Sequence, residues 1–137
     1  MEVLIIDAQG GGVGRQLVAA IKEADLPGIR VTAVGTNSAA ATAMRKAGAD
    51  AVATGENAVV VCSRKADVIM GPIGIVIADA LLGEITPSMA AAVGQSRARR
   101  LLLPMNHCDN IVIGVQELNI AMLVRKAVEE LKTMVCA

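Results

Sequence analysis

The segment Ala8–Gln9–Gly10–Gly11–Gly12–Val13–Gly14 sets four glycines in five positions between an apolar strand pattern and an apolar helix pattern. Glycine loses more backbone freedom on folding than any other residue, so such a run marks a backbone that approaches something closely. The chemistry it suits is anion binding. Peptide N–H groups unshielded by a Cβ atom can meet phosphate oxygens, and the helix that follows offers further free N–H groups at its start. Asp7 ends the preceding strand, placed either to hold the turn through its N–H groups or to reach the ligand. Three more turns fall at the same rim: Gly35–Thr36–Asn37–Ser38, Gly71–Pro72–Ile73–Gly74 and Met105–Asn106–His107–Cys108. The candidate contacts are therefore Asp7, Gln9, Gly10 to Gly14 with Val13, Gly35 to Ser38, Gly71 to Gly74 and Asn106. The competing reading is that these turns only join strands to helices tightly.

Other chemistry is sparse. His107 is the only histidine, and although it adjoins Cys108, neighbours in an extended loop point apart, whereas a nucleophile and its base meet through the fold. Asp79 stands inside the apolar stretch "IVIADALLG", where a buried carboxylate would need a cation, a turn or an interface. Glu56 and Asn57 read equally as a helix start or as ligand contacts, and Arg97, Arg99 and Arg100 as a solvated corner. Cys62, Cys108 and Cys136 are odd in number and widely spaced, which suits reduced thiols in a cytoplasmic protein and neither a disulfide framework nor a metal site.

The elements that position these turns alternate. Val3–Asp7 is a short continuous apolar run, the pattern of a strand covered on both faces. Val13, Leu17, Ala20, Ile21 and Ala24 recur at helical spacing, and Arg30–Gly35 is a second strand, which completes a parallel βαβ unit. A helix capped by Ser38 runs to Ala47, Ala51–Ala53 is a brief edge strand, and "GENAVVVCSRKA" is a short helix. Asp67–Met70 is the fourth strand. Ile73–Leu82 reads as a helix apolar on nearly every side, buried or interfacial. Thr86–Pro87 launches a helix to about Gln95 and Arg99–Leu103 is a fifth strand. Ile111–Val115 follows after too short a loop for a crossover, so it is expected antiparallel at the edge. Asn119 caps a closing helix that turns Leu123, Val124, Ala127, Val128 and Leu131 inward. The pattern predicts one three-layer α/β domain over 1–137, with a doubly wound, mostly parallel sheet in order 3-2-1-4-5 and an antiparallel edge strand.

Composition narrows the partners. Lys+Arg and Asp+Glu both count 13 and aromatic residues are absent, so the chain offers neither a basic stripe nor stacking platforms for nucleic acid. Hydrophobic residues reach 54%, more than so small an interior hides, which predicts a homodimer or larger assembly. No apolar stretch approaches the roughly 20 residues that span a bilayer, and the start lacks a basic leader region, so no membrane role or signal peptide is expected.

The glycine spacing fits G-x-x-x-G-x-G with Ala8 in the first place, and "DAQGGGVGR" resembles the glycine turn of short-chain dehydrogenases/reductases. That resemblance implies NAD or NADP. The tyrosine-dependent mechanism of those enzymes is excluded, because the chain has no tyrosine. No carboxylate follows Gly35 where an NAD ribose would be held, so a 2′-phosphorylated dinucleotide is expected to bind at least as well. Across nearly the whole length, "IDAQGGGVG", "GTNSAA", "KAGAD", "ATGENAVVV", "ADVIMGPIGIVIADALLGEITP" and "LLLPMN" resemble, in that order, a bacterial domain-of-unknown-function family numbered 3842. This second resemblance implies a stand-alone Rossmann-like domain and no particular activity. Three readings stay open: a nucleotide-binding homo-oligomer, an enzyme completed between subunits around Asn106, His107 and Asp79, and a structural partner protein.

Overall fold

The computed structural model describes residues 1–105, 109–116 and 118–135. Its described strands form one parallel sheet of five: β1 (Glu2–Asp7), β2 (Arg30–Gly35), β3 (Ala51–Thr54), β4 (Val68–Pro72) and β5 (Arg99–Leu103), in spatial order β3-β2-β1-β4-β5. Helices α1 (Gly12–Ala24), α2 (Ser38–Lys46), α3 (Glu56–Lys65), α4 (Pro87–Gln95) and α5 (Ile120–Val135) connect or follow them. Register is set by burial on both faces of β1. Val3 and Ile5 join α1, α5 and Met44 in one core, while Leu4 and Ile6 join Val59, Met89 and Val93 in the other. The strand order reverses beside β1, so the carboxyl ends of β1 and β4 bound a crevice at the switch point.

Three local expectations are corrected. Ile111–Val115 is not a strand: the segment turns at Ile113–Gly114, with Gly114 at φ 84°, and leaves Ile111 and Ile113 84% and 89% exposed. Its β-branched residues suit a strand, but it pairs with no described strand. No antiparallel edge strand is therefore present among the described residues, and every sheet pairing there is parallel.

Ile73–Leu82 is not a helix beyond its first turn. A 3-10 turn spans Ile73–Val76, and the chain then bends through left-handed conformations at Asp79, Leu81, Leu82 and Gly83 (φ 64°, 57°, 58° and 84°). The stretch crosses the rim of the sheet as a strap, and Asp79 lies exposed rather than buried.

The cap of α2 is Asn37, whose Oδ1 accepts the Ala40 N–H at 2.9 Å; Ser38 is the first helical residue. The other caps follow the sequence reading. Thr86 Oγ1 accepts the Met89 N–H at 3.1 Å, and Asn119 Oδ1 accepts the Met122 N–H at 2.9 Å.

Candidate functional site

The glycine turn leaves β1 through Asp7, which is buried. Its Oδ1 accepts the Ala8 N–H at 2.8 Å and its Oδ2 accepts the Gly14 N–H at 2.6 Å. Asp7 thus holds the turn. Burial pushes its carboxyl above the ordinary value, the N–H groups of Gly14, Ala8 and Val13 pull it back in part, and the charge of Glu84 raises it again.

The glycines divide into two kinds. A Cβ on Gly11 would lie 2.9 Å from the Ala40 Cα, and Gly11 adopts φ 73°. A Cβ on Gly14 would meet Met44 Sδ at 2.5 Å and Asp7 Cβ at 2.9 Å; one on Gly35 would meet the Ala41 nitrogen at 2.5 Å. Gly71 is pressed against the Ile6 carbonyl oxygen in the same way. These four are glycines because the chain packs there. Gly10 and Gly12 differ: a Cβ on either would meet nothing within 4 Å, and neither adopts a left-handed φ. Their N–H groups have no partner among the described residues.

Gly10 and Gly12 line a cavity of about 220 Å³ together with Asp7, Gln9 and Val13. Pro72 and Gly74 close it on the β4 side. Leu81 from the strap, Met105 beyond β5, Gln16 of α1 and Ile120 of α5 complete the walls. The cavity lies beside the glycine turn, with mainly apolar walls and peptide groups at one end.

The β2 side of the rim is arranged differently. Thr36 Oγ1 and Asn37 Nδ2 donate to Glu84 Oε1 at 2.8 and 2.7 Å, and the Gln9 N–H reaches both Glu84 oxygens at 3.1 and 3.2 Å. Asn37 Nδ2 also donates to the Gln9 carbonyl at 2.9 Å. Thr36 and Asn37, two of the candidate ligand contacts, thus meet a carboxylate of the chain itself. The premise that no carboxylate stands after β2 is corrected: Glu84 arrives from the strap, 48 residues beyond Thr36. Burial pushes the Glu84 carboxyl up, but the bonds from Thr36, Gln9 and Asn37 outweigh it and hold it below its usual range.

The remaining candidates are scattered. Ser38 is exposed on the first turn of α2, and Ile73 is half-buried in the 3-10 turn without lining the cavity. Asn106, His107 and Cys108 lie outside the described residues. Glu56 starts α3 and accepts the Thr86 hydroxyl at 2.6 Å, as a helix-start residue. No group of three or more His, Cys, Asp or Glu converges among the described residues, and no helix there is long and apolar enough to cross a membrane. Sequence reasoning missed Glu84, Leu81, Gln16 and Ile120, and named Met105 only as the first residue of a rim turn. Only Glu84 carried a signal, as the lone carboxylate of "LLGEITP".

Solved structures similar to this chain share little sequence with it. A dodecameric FMN-dependent UbiX-like decarboxylase from Escherichia coli O157:H7 matches with 18% identity and a TM-score of 0.48, over 96% of this chain and 77% of the other. AibC matches with 23% identity and a TM-score of 0.46, over 97% of this chain and 42% of its own. No curated protein matches the sequence. Residues 2–136 match the family described as Domain of unknown function (DUF3842), and the chain belongs to that family.

Proposed function

We infer that the chain binds a nucleotide, a phosphate ester carrying a ring, in the cavity beyond β1 and β4. The observation that carries this reading is the pair Gly10 and Gly12. Neither needs glycine for its backbone conformation or for packing, and both leave an N–H group without a partner among the described residues, beside the cavity. A phosphate on those two N–H groups would sit at the start of α1, where peptide dipoles favour an anion. The Asp7 charge at the same helix start is met by the N–H groups of Ala8 and Gly14. Leu81, Met105, Ile120 and Pro72 supply apolar walls for the ring.

Isothermal calorimetry with AMP, FMN, NAD and NADP tests the reading. Gly12→Glu fills the open space with a carboxylate and is expected to abolish binding while leaving the circular dichroism spectrum unchanged. Absence of binding below millimolar concentration, or Gly12→Glu binding like wild type, would mean the turn serves chain connection alone.

The same reading includes a homo-oligomer. Ile111, Ile113 and Leu82 are 84%, 89% and 96% exposed, and Val115 and Met122 expose apolar surface on the segment that holds the two isoleucines and the start of α5. Large apolar side chains left this exposed favour burial against another chain.

A further inference from the structure

The β2 side of the rim is closed by the chain itself, through a strap with both ends pinned. Ala80 and Ile85 are buried, and the Asp79 N–H donates to the Ile85 carbonyl at 2.7 Å. Between them, Leu81, Leu82 and Gly83 take left-handed conformations that turn Glu84 back toward β1 and β2. Runs of such residues persist only where the surroundings hold them. Here Glu84 is held by three donors: the Gln9 N–H, the Thr36 hydroxyl and the Asn37 amide. The open cavity, which Glu84 does not line, lies between Gly10, Gly12, Pro72 and Met105, with Gln9 and Leu81 in its wall.

We propose that Glu84 sets the ligand class: the site takes a phosphomonoester and rejects ligands whose phosphate is extended by a second one, as in nucleoside diphosphates and dinucleotides. The inference rests on the nucleotide reading above and narrows it. On a doubly wound sheet, a pyrophosphate ligand reaches across the crevice from the β1 turn, with one half toward β2. There it meets a fixed carboxylate whose partners are the very donors it would need. The β2 half, ribose or phosphate, finds the Glu84 oxygens already engaged by three donors, so it must displace Glu84 from them or, where it is a phosphate, place a second anion beside it. A terminal phosphate on Gly10 and Gly12, with its ring toward Met105 and Ile120, does neither. Glu84 thereby reverses the expectation that a 2′-phosphorylated dinucleotide is welcome, because that extra phosphate belongs on the β2 side as well.

The test is a pair of matched titrations, FMN against FAD and AMP against ADP, each pair sharing a ring and differing in the extension beyond the phosphate. Wild type is expected to bind the monoester of a binding pair roughly tenfold tighter or more, about 1.4 kcal/mol. Glu84→Gln keeps an acceptor and removes the charge; it should narrow that gap to about threefold. Equal or tighter binding of the pyrophosphate member by wild type, or an undiminished gap in Glu84→Gln, overturns the inference and leaves the nucleotide reading standing. Failure of all four probes to bind removes both. The wild-type titrations decide the matter by themselves if Glu84→Gln folds poorly.

Discussion

Asp7 Oδ2 accepts the Gly14 N–H at 2.6 Å, so the last residue of β1 caps the helix that begins five residues later. The same carboxylate takes the Ala8 N–H, and together the two bonds fix the entry and exit of the glycine turn. The turn is held by a side chain at both ends, and Gly10 and Gly12 between them line the cavity.

Asp7→Ala is expected to destabilise the fold by about 1–3 kcal/mol, because two N–H groups lose a charged acceptor at a buried site. Asp7→Asn retains one acceptor and removes a charge that burial disfavours, so it should lie closer to wild type. Urea unfolding of the three proteins checks the order. An alanine variant as stable as wild type would mean that water or another residue holds the turn.

Acid should separate the two rim carboxylates. Asp7 is held above its ordinary 3.8 chiefly by burial, so the folded state keeps a proton that the unfolded state has released. Its stabilising contribution is complete below 3.8 and is lost as pH rises through the folded value. Glu84 has the opposite sign: it lies below its usual 4.5, so its contribution is present above 4.5 and is lost as pH falls through the folded value. Urea midpoints from about pH 3 to 7 should show wild type gaining on Asp7→Asn in acid and losing its advantage over Glu84→Gln. Parallel pH curves for wild type and either variant would remove that residue from the account.

What could be read in the sequence was what neighbours along the chain decide. The apolar runs of β1 and β4, the helical spacing of α1 and α5 and the Thr86–Pro87 start of α4 all express local periodicity or capping. The strand order is the one expected of a doubly wound sheet; no local pattern along the chain fixes it. Ile73–Leu82 defeated the same reasoning because its apolar composition suits a helix as well as a strap pinned by Ala80 and Ile85. Ile111–Val115 failed because β-branched residues favour a strand only where a partner strand exists. The partners of Glu84 were hidden for a third reason. Its contacts with Gln9, Thr36 and Asn37 are tertiary, and nothing beside it in sequence points to β2.

The exposed isoleucines give a direct test of assembly. Ile111→Asp combined with Ile113→Asp should yield a smaller species than wild type in sedimentation at micromolar concentration. Stability of the folded chain should change by no more than about 0.5 kcal/mol, since both side chains face solvent in the isolated protomer. A wild type that already sediments as a 14.0 kDa monomer removes the interface.

The two kinds of glycine should respond oppositely to one methyl group. Gly71→Ala places a Cβ against the Ile6 carbonyl, a backbone atom of the central strand that cannot move without disturbing the sheet. About 1–3 kcal/mol of stability should be lost. Gly12→Ala meets open space at the first position of α1, with an ordinary backbone conformation. It restricts the unfolded chain and costs the folded one nothing, so the unliganded protein should gain about 0.4–1 kcal/mol. The same methyl intrudes on a phosphate at the Gly10 and Gly12 N–H groups, so the more stable variant should bind FMN or AMP more weakly than wild type. Thermal unfolding with and without ligand reads both effects in one experiment: Gly12→Ala melts higher alone and gains less from ligand. If Gly12→Ala is destabilised, the turn has a packing constraint that the geometry does not show. If it is stabilised and binds as wild type does, the phosphate lies elsewhere in the cavity.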